Sequence, residues 1–393
     1  MKIAIVRQRY VAHGGAERVV ARFVEHLVKN GHQVTLFAHQ WDPMASGDWG
    51  DQPDRTMPGI ALHRVWMLSW GSLFRLVSFA FFAKRALCRE PFDLIFSFER
   101  TWHQDIYRAG DGCHREWLAR RHLSPFGKGR VFINPFHWAM LMIERQIFTS
   151  PRTRTLIANA QQVKDDIIRH YGTPAARIEV VYNGVDLVRF HPANRGRYRS
   201  IVRSRFGIPE TAFLILFVGS GFERKGLSVL IRAMGMVKRD LPEAASRLLI
   251  AGGGKRDRYI GEAKGAGVEE AIHWAGTVRE IEQLYAAADL FVLPTRYDPF
   301  ANVCLEAMAT GLPVVTTRAN GASELLAGPL APFVLHDADD APACAGLIVR
   351  AYRSDPAWLG EAARKIAEGF PAEQCFSKWV ALCEQACEST KGR

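Results

Sequence analysis

Short, nearly unbroken apolar runs recur along the chain, at residues 2–6, 33–38, 92–98, 155–159, 213–218, 247–251, 273–275, 290–293 and 313–316. Runs of this length without polar alternation are what strands covered on both faces of a parallel sheet require. Between them the pattern changes to helical spacing, as at 17–29, 160–171, 227–238, 341–353, 356–369 and 372–387. The opening set, a strand at 2–6, a loop through Gly14-Gly15, a helix and a strand at 33–38, is one βαβ unit. Its repetition predicts doubly wound α/β architecture.

The alternation is interrupted once. Val180-Val181-Tyr182-Asn183-Gly184-Val185-Asp186 ends in a turn signal, and His191-Pro192 with the basic run 195–205 carries no apolar period. This is where an inter-domain linker belongs. The chain therefore reads as a first Rossmann-like domain over 1–182 and a second over 183–371, with the helix at 372–388 packing back onto the first. With 393 residues, 48% of them hydrophobic, each half is long enough to bury its own core.

Residues 65–83 are the one stretch apolar enough to suggest a membrane span, but Arg75 stands at its middle. A central arginine costs about 2.5–3.5 kcal/mol on insertion scales, so a buried or membrane-touching helix is expected instead. Met1-Lys2 leads directly into the first strand without a signal-peptide pattern, which gives the expectation of a cytoplasmic protein. Seven scattered cysteines with no CxxC pair indicate buried thiols rather than a disulfide framework or zinc site.

A net charge of +11 calls for an acidic partner: a nucleotide, an anionic lipid surface or a nucleic acid. No nucleic-acid-binding module is visible, so no nucleic acid is expected. The stretch 108–154 mixes Arg115, Arg120, Arg121, Lys128, Arg130 and Arg145 with Trp117, Phe126, Phe132, Phe136 and Trp138. It suits an anionic membrane face equally well as it suits a solvated cationic face over ordinary core aromatics.

Two clusters carry the chemistry, each between a strand and a helix. Gly219-Ser220-Gly221-Phe222-Glu223-Arg224-Lys225-Gly226 precedes the helix at 227–238. Glycines there let backbone approach a ligand, a helix N-terminus favours an anion, and Arg224 with Lys225 add fixed positive charge for two phosphates. In Asp298-Pro299-Phe300-Ala301-Asn302-Val303-Cys304-Leu305-Glu306 the two carboxylates stand eight positions apart. If Asn302 caps the helix, the first helix amides stay unpaired and point toward a crevice to grip oxygens, with Glu306 about one turn in; Phe300, Ala301, Asn302 and Val303 are the candidate contacts. Taken alone, a basic pair is a solvated surface feature, and Asp298 closes a turn before Pro299. The repeated strand–loop–helix setting is what argues for a ligand.

Together the clusters resemble the retaining glycosyltransferases of family 4, whose F-x-R-K-G segment is matched by Phe222 to Gly226 and whose E-x7-E element is matched by Asp298 to Glu306. The Gly14-Gly15-Ala16-Glu17-Arg18 loop and the Asn183-Gly184-Val185-Asp186 hinge are similar to that family too, whereas about 40–154 matches loosely. The resemblance implies the GT-B fold, two Rossmann-like domains with parallel sheets facing across a cleft. It implies that Arg224 and Lys225 bind the donor diphosphate, that Glu306 holds the ribose and Asp298 the donor sugar, and that Gly14, Gly15 and Gly219 approach donor or acceptor closely. Asp298 stands where the family has Glu, one methylene shorter. The Gly-Gly-x-x-Arg start is most similar to the branch that glucosylates the inner core of lipopolysaccharide. That implies transfer of a hexose, glucose, from a UDP-linked donor to a lipid-linked saccharide, at the inner face of the cytoplasmic membrane.

No metal is expected, because Arg224, Lys225 and helix N-termini can stabilise a leaving diphosphate, and Asp337-Ala338-Asp339 reads as a surface loop. No carboxylate is an evident nucleophile, so the retention implied by the family would proceed by departure and attack on one face, a phosphate oxygen taking the acceptor proton. Acceptor-side candidates follow the strand at 92–98: Glu99, Arg100, His103 and, above all, Asp111 and His114. A sugar-nucleotide epimerase of GT-B shape, or an inactive nucleotide-sugar-binding protein, stays open as an alternative. Acceptor-independent interconversion of donors marks the first, and binding without turnover the second.

Overall fold

The computed structural model describes residues 1–10, 15–41, 60–120 and 133–391. The chain divides into two compact units, Met1–Tyr182 with Glu373–Arg393, and Asn183–Ala372.

The first unit is built on a seven-stranded parallel sheet. Its strands are β1 (Lys2–Val6), β2 (Gln33–Ala38), β3 (Ile60–Arg64), β4 (Leu94–Ser97), β5 (Ile106–Ala109), β6 (Thr155–Ala158) and β7 (Ile178–Val180). They lie in the order β3-β2-β1-β4-β5-β6-β7. Helices α1 (Gly15–Lys29), α2 (Gly71–Leu87), α3 (His114–Ala119), α4 (Pro135–Thr149) and α5 (Gln161–Tyr171) connect them. A short parallel ladder pairs Arg9–Tyr10 with Gln40–Trp41.

The second unit has a six-stranded parallel sheet of β8 (Leu214–Val218), β9 (Arg247–Ala251), β10 (Ile272–Gly276), β11 (Leu290–Leu293), β12 (Val314–Thr317) and β13 (Val334–Leu335), in the order β10-β9-β8-β11-β12-β13. Its helices are α6 (Asn194–Arg205), α7 (Leu227–Asp240), α8 (Asp257–Gly265), α9 (Ile281–Ala287), α10 (Asn302–Ala309), α11 (Ala341–Arg353) and α12 (Pro356–Glu368). The final helix, α13 (Ala372–Lys391), lies almost wholly in the first unit.

The strands that the apolar runs predict are interior ones, except β10 at one edge of the second sheet. All five residues of β8 and all four of β4 and β11 are buried, as both-face coverage demands. Strands β3, β5, β7 and β13 carry no such run. β3 is an edge strand with three exposed positions, β7 is the opposite edge, and β5 hides its pattern behind Arg108. The expected helix at 65–83 is α2, shifted to Gly71–Leu87; residues 65–69 form an extended lead-in. Among the described residues, no helix is long and apolar enough to cross a membrane.

The run 195–205, read from sequence as a break, is the helix α6. Its period is carried by guanidiniums rather than by apolar groups: Arg195, Arg199 and Arg203 recur every four residues and all reach Asp289, at 2.7, 2.9 and 2.7 Å. Asp289 in turn accepts the backbone N–H of Leu214 at the start of β8, so the helix is locked to the sheet through one carboxylate. The segment read as a linker begins the second unit. Val185 bridges Pro371, and a Cβ on Gly184 would lie 2.5 Å from the Cα of Ala372, which only glycine avoids. All seven cysteines are free thiols, six of them buried.

In the first unit, α13 supplies the largest fully buried side chain, Trp379. Its ring meets Phe23 edge-on at 5.0 Å and Phe98 at 5.8 Å, and the Arg108 guanidinium lies 5.0 Å from its centroid. Arg154 donates to the Ala386 carbonyl at 3.0 Å, tying down the helix's last turns. Trp379→Ala is expected to cost about 3–5 kcal/mol of the first unit's stability. The control Trp358→Ala, at a side chain 54% exposed, should stay within about 0.5 kcal/mol. Denaturant unfolding of the two variants checks the contrast.

Candidate functional site

In the second unit the strand order reverses between β8 and β11, since the chain runs outward from β8 through β9 to β10 and returns through β11 to β13. Ligands of open α/β sheets bind beyond the strand carboxyl ends at such a reversal. The two sequence clusters are the loops leaving these two strands, residues 219–226 after β8 and 294–301 after β11.

The first loop is held from below and from the side. Phe222 is buried against the rings of Phe217, Tyr259 and Trp274. The Arg224 carbonyl accepts from Thr295 Oγ1 at 3.0 Å and from the Arg296 N–H at 2.9 Å. Gly226 has φ of +79°, and a Cβ there would sit 1.9 Å from the Pro294 carbonyl oxygen. No other residue fits the junction into α7.

Asp298 joins the loops. Its Oδ2 accepts from Arg224 Nη1 at 2.9 Å and from Lys225 Nζ at 2.5 Å, while its Oδ1 accepts from the Phe300 N–H at 3.2 Å. Lys225 and Asp298 are buried and Arg224 is partly exposed, so the pair of cations presents one guanidinium outward and keeps the ammonium inside. Burial works against ionisation of Asp298, but Lys225 and then Arg224 outweigh it and hold the carboxyl below its usual value.

Glu306, on α10, is half-buried and accepts from the hydroxyl of the fully buried Tyr285 at 2.9 Å. Burial first, and the Glu306 carboxylate second, push that phenol well above its ordinary value, so it stays a donor.

Asn302 does not cap α10. Ala301 is the N-cap, with no side-chain bond of its own, and Asn302 is the first helical residue, its Oδ1 taken by Asn183 Nδ2 at 2.6 Å. At the helix entry the Phe300 N–H is paired with Asp298 and the Ala301 N–H with Asn320 Oδ1 at 3.0 Å. Phe300 and Ala301 are buried and Val303 is half-buried. The site thus offers side-chain cations and a braced carboxylate more than free helix amides.

Three further contributors complete the site. Asn320 is fully buried and binds Ala301, Ala322, Thr316 and Cys304, fixing the entry of α10. Tyr285 looks like an ordinary core aromatic of α9 until its hydroxyl is traced. The loop Gly252-Gly253-Gly254-Lys255-Arg256 after β9 touches the first loop, Gly253 N–H donating to Ser220 Oγ at 3.2 Å. Its position after a strand was the available signal. Asp339 of the acidic 337–339 run pairs with Arg296 at 2.6 Å. Among the described residues, no group of three or more His, Cys, Asp or Glu is placed to hold a metal ion.

In the first unit the reversal falls between β1 and β4, where Arg7 and Glu99 form an ion pair at 3.2 Å and Glu99 also accepts the Gln8 N–H. Asp111 is exposed and lies 3.7 Å from Arg100. His114 turns elsewhere, its Nε2 at 3.0 Å from His137 Nδ1 and its ring stacked on Trp117, so the structure does not pair it with Asp111 over a common point. His103 contacts Arg152 instead. Gly15 opens α1, and Gly14 lies outside the described residues, as do Arg121, Lys128, Arg130, Phe126 and Phe132.

The second unit thus sets a cation pair at its sheet reversal, an arrangement that suits an anionic ligand. Two family models match the chain, Glycosyltransferase Family 4 over residues 13–189 and Glycosyl transferases group 1 over residues 212–354. The chain belongs to the glycosyltransferases of GT-B fold. Among its relatives, the lipopolysaccharide glucosyltransferase WaaG of Escherichia coli (strain K12) is 27% identical over 333 residues, 83% of each chain. A D-inositol 3-phosphate glycosyltransferase of Streptomyces avermitilis is 31% identical over 252 residues, 61% of this chain and 53% of the relative. The crystal structure of WaaG, described as a glycosyltransferase involved in lipopolysaccharide biosynthesis, shares the fold with a TM-score of 0.80, at 24% identity, over 97% of this chain and 99% of that one.

Because the folded-state carboxyl of Asp298 titrates below its unfolded value of about 3.9, its contribution is complete above that pH and is lost as pH falls through the depressed value. Asp298→Asn leaves the buried Lys225 uncompensated and should destabilise the second unit by about 3–5 kcal/mol at neutral pH. The difference from the native chain should shrink in acid. Unfolding curves recorded at pH 7 and in acid test both the size and the direction.

Proposed function

We propose that the enzyme is a retaining, metal-independent hexosyltransferase that moves glucose from UDP-glucose to a lipid-linked saccharide of the lipopolysaccharide inner-core type, at the inner face of the cytoplasmic membrane. The observation that carries the donor side is the Arg224–Lys225 pair at the sheet reversal, held by Asp298 beside the braced carboxylate of Glu306. The acceptor class follows the relationship to WaaG, a lipopolysaccharide glucosyltransferase.

In this reading the bond between the anomeric carbon and the diphosphate oxygen breaks, and negative charge grows on the leaving diphosphate. Arg224 and Lys225 stabilise that charge from fixed positions, the part a divalent cation plays elsewhere. The acceptor hydroxyl forms the new bond on the same face, and its proton passes to a phosphate oxygen. Glu306 accepts hydrogen bonds from the ribose, its orientation fixed by Tyr285. Asp298 keeps the two cations in register; because its carboxylate is one methylene shorter than the family's, this anchoring is its principal role, with contact to the donor sugar secondary. Gly219 and the loop at 252–256 line approaches to the donor.

Asp111 and Arg100, together with the Arg7–Glu99 pair, form the polar group at the first unit's reversal and serve the acceptor. His114, stacked on Trp117, supports that loop rather than acting on substrate. The exposed Arg115 and Arg145 of the 108–145 stretch add attraction to an anionic lipid surface, about 1 kcal/mol for each such charge.

Calorimetry with UDP, GDP and ADP in the presence of a chelator tests the donor site. UDP should bind, and Lys225→Ala and Glu306→Ala should each weaken it by roughly ten- to a hundredfold, the worth of a hydrogen bond to a charged group. Tyr285→Phe should weaken it less, by several-fold. No binding by any of the three nucleotides would remove the donor site, and conversion of one nucleotide sugar to another without acceptor would replace transfer by epimerisation.

A further inference from the structure

The first unit carries an apolar surface that the donor and acceptor sites do not use. The inner face of α2 is ordinary core: Phe79, Ala83, Ala86 and Leu87 pack with Val6, Phe37 and Ile95 of the sheet. Its outer face is not polar. Trp70, at the helix N-cap, is 82% exposed, and Phe74 and Phe81 are 53% and 51% exposed. With the half-buried Val77 they recur at intervals of four, three and four residues, which places them on one stripe of the helix. Trp66, on the extended lead-in, is 55% exposed and its ring meets Phe82 edge-on at 4.9 Å.

The charge of this segment is one-sided. From residue 60 to residue 89 the chain contains Arg64, Arg75, Lys84, Arg85 and Arg89 and no Asp or Glu. Lys84 and Arg85 are exposed one turn beyond Phe81, so the apolar stripe ends in cations. The neighbouring α4, which packs beside α2, repeats the arrangement on a smaller scale, with exposed Trp138 and Met142 one turn apart and exposed Arg145 following.

We infer that the outer face of α2, with its lead-in and α4 beside it, is a docking surface for an anionic lipid bilayer. Tryptophan and phenylalanine seat at the boundary between headgroups and acyl chains, and lysine and arginine at the end of the stripe reach the phosphates. A second copy of this chain is a poorer occupant, because a two-fold contact would bring the same cations of both copies together with no carboxylate in the segment to offset them. The bilayer offers negative charge along the whole face. The inference deepens the reading of a lipid-linked acceptor by naming the surface that meets the membrane. It places that surface on α2 and not on the basic 108–145 stretch alone.

Vesicle sedimentation of the full chain tests it without sugar or nucleotide. Phosphatidylglycerol-rich vesicles should bind the native chain and pure phosphatidylcholine vesicles should bind it far less. Phe74→Ser with Phe81→Ser should reduce binding at least tenfold, and Lys84→Glu with Arg85→Glu should reduce it and flatten its salt dependence, on the order of fivefold for each lost cation. Each variant is accepted only if its circular dichroism and its UDP affinity match the native chain, since neither pair lies in the unit that carries the proposed nucleotide site.

Equal vesicle binding by native chain and variants, or none by the native chain, overturns the inference. So does a native dimer that the Phe74→Ser, Phe81→Ser variant converts to monomer, which would make the face a self-association surface. Nucleotide binding that survives while vesicle binding fails leaves the donor reading standing; vesicle binding that survives without transfer to any lipid-linked saccharide removes the acceptor reading and keeps the face.

Discussion

The second unit turns on one carboxylate with two cations. Asp298 sits at 2.5 Å from Lys225 and 2.9 Å from Arg224, and these contacts join the loops that leave the two strands flanking the sheet's reversal. A buried lysine beside an arginine would otherwise be an uncompensated charge. With Asp298 between them the cations can wait, charged and oriented, for a ligand that carries more negative charge than one carboxylate. A diphosphate does.

The same geometry explains why Asp rather than Glu is tolerated at 298. The residue's backbone is fixed on both sides, its N–H to Ala319 and its carbonyl accepting from Gly321, so the side chain's reach is set by its length. A carboxylate on one methylene meets Arg224 and Lys225 directly. Glu306 is held independently through Tyr285, on another helix, so the two acidic positions are braced by different parts of the unit. Separate bracing lets one vary in length without moving the other.

Much of this was legible in the chain. Interior strands announced themselves because burial on both faces leaves no polar alternation, and the clusters 219–226 and 298–306 were found because each stands between such a strand and a helix. What stayed hidden follows physical rules as well. The edge strand β3 has few buried positions to mark it, and α6 keeps its period in arginines, which a search for apolar spacing does not see. Asn302 looked like a cap because its residue type favours caps, but its side chain is used by Asn183, a partner 119 positions away. Tyr285 acts through one hydroxyl whose partner is 21 positions away, and Asn320 through an amide that reaches Ala301, 19 positions away. No local pattern records that.

The net charge of +11 also changes meaning once the arginines are placed. Arg195, Arg199 and Arg203 share Asp289, and the fully buried Arg203 satisfies its remaining donors on the carbonyls of Ala287, Pro209, Glu210 and Ala212. Arg100 serves the buried Glu144, and Arg108 lies on Trp379. These guanidiniums hold the fold, through carbonyls and rings as much as through carboxylates, and an acidic partner cannot reach most of them. The excess charge that remains for binding is therefore concentrated in fewer places than composition suggests. Two stand out: the Arg224–Lys225 pair, answered by one carboxylate, and the segment 60–89, answered by none of its own. The first suits a small, doubly charged ligand enclosed by loops. The second, spread along an aromatic helix face, suits an extended surface.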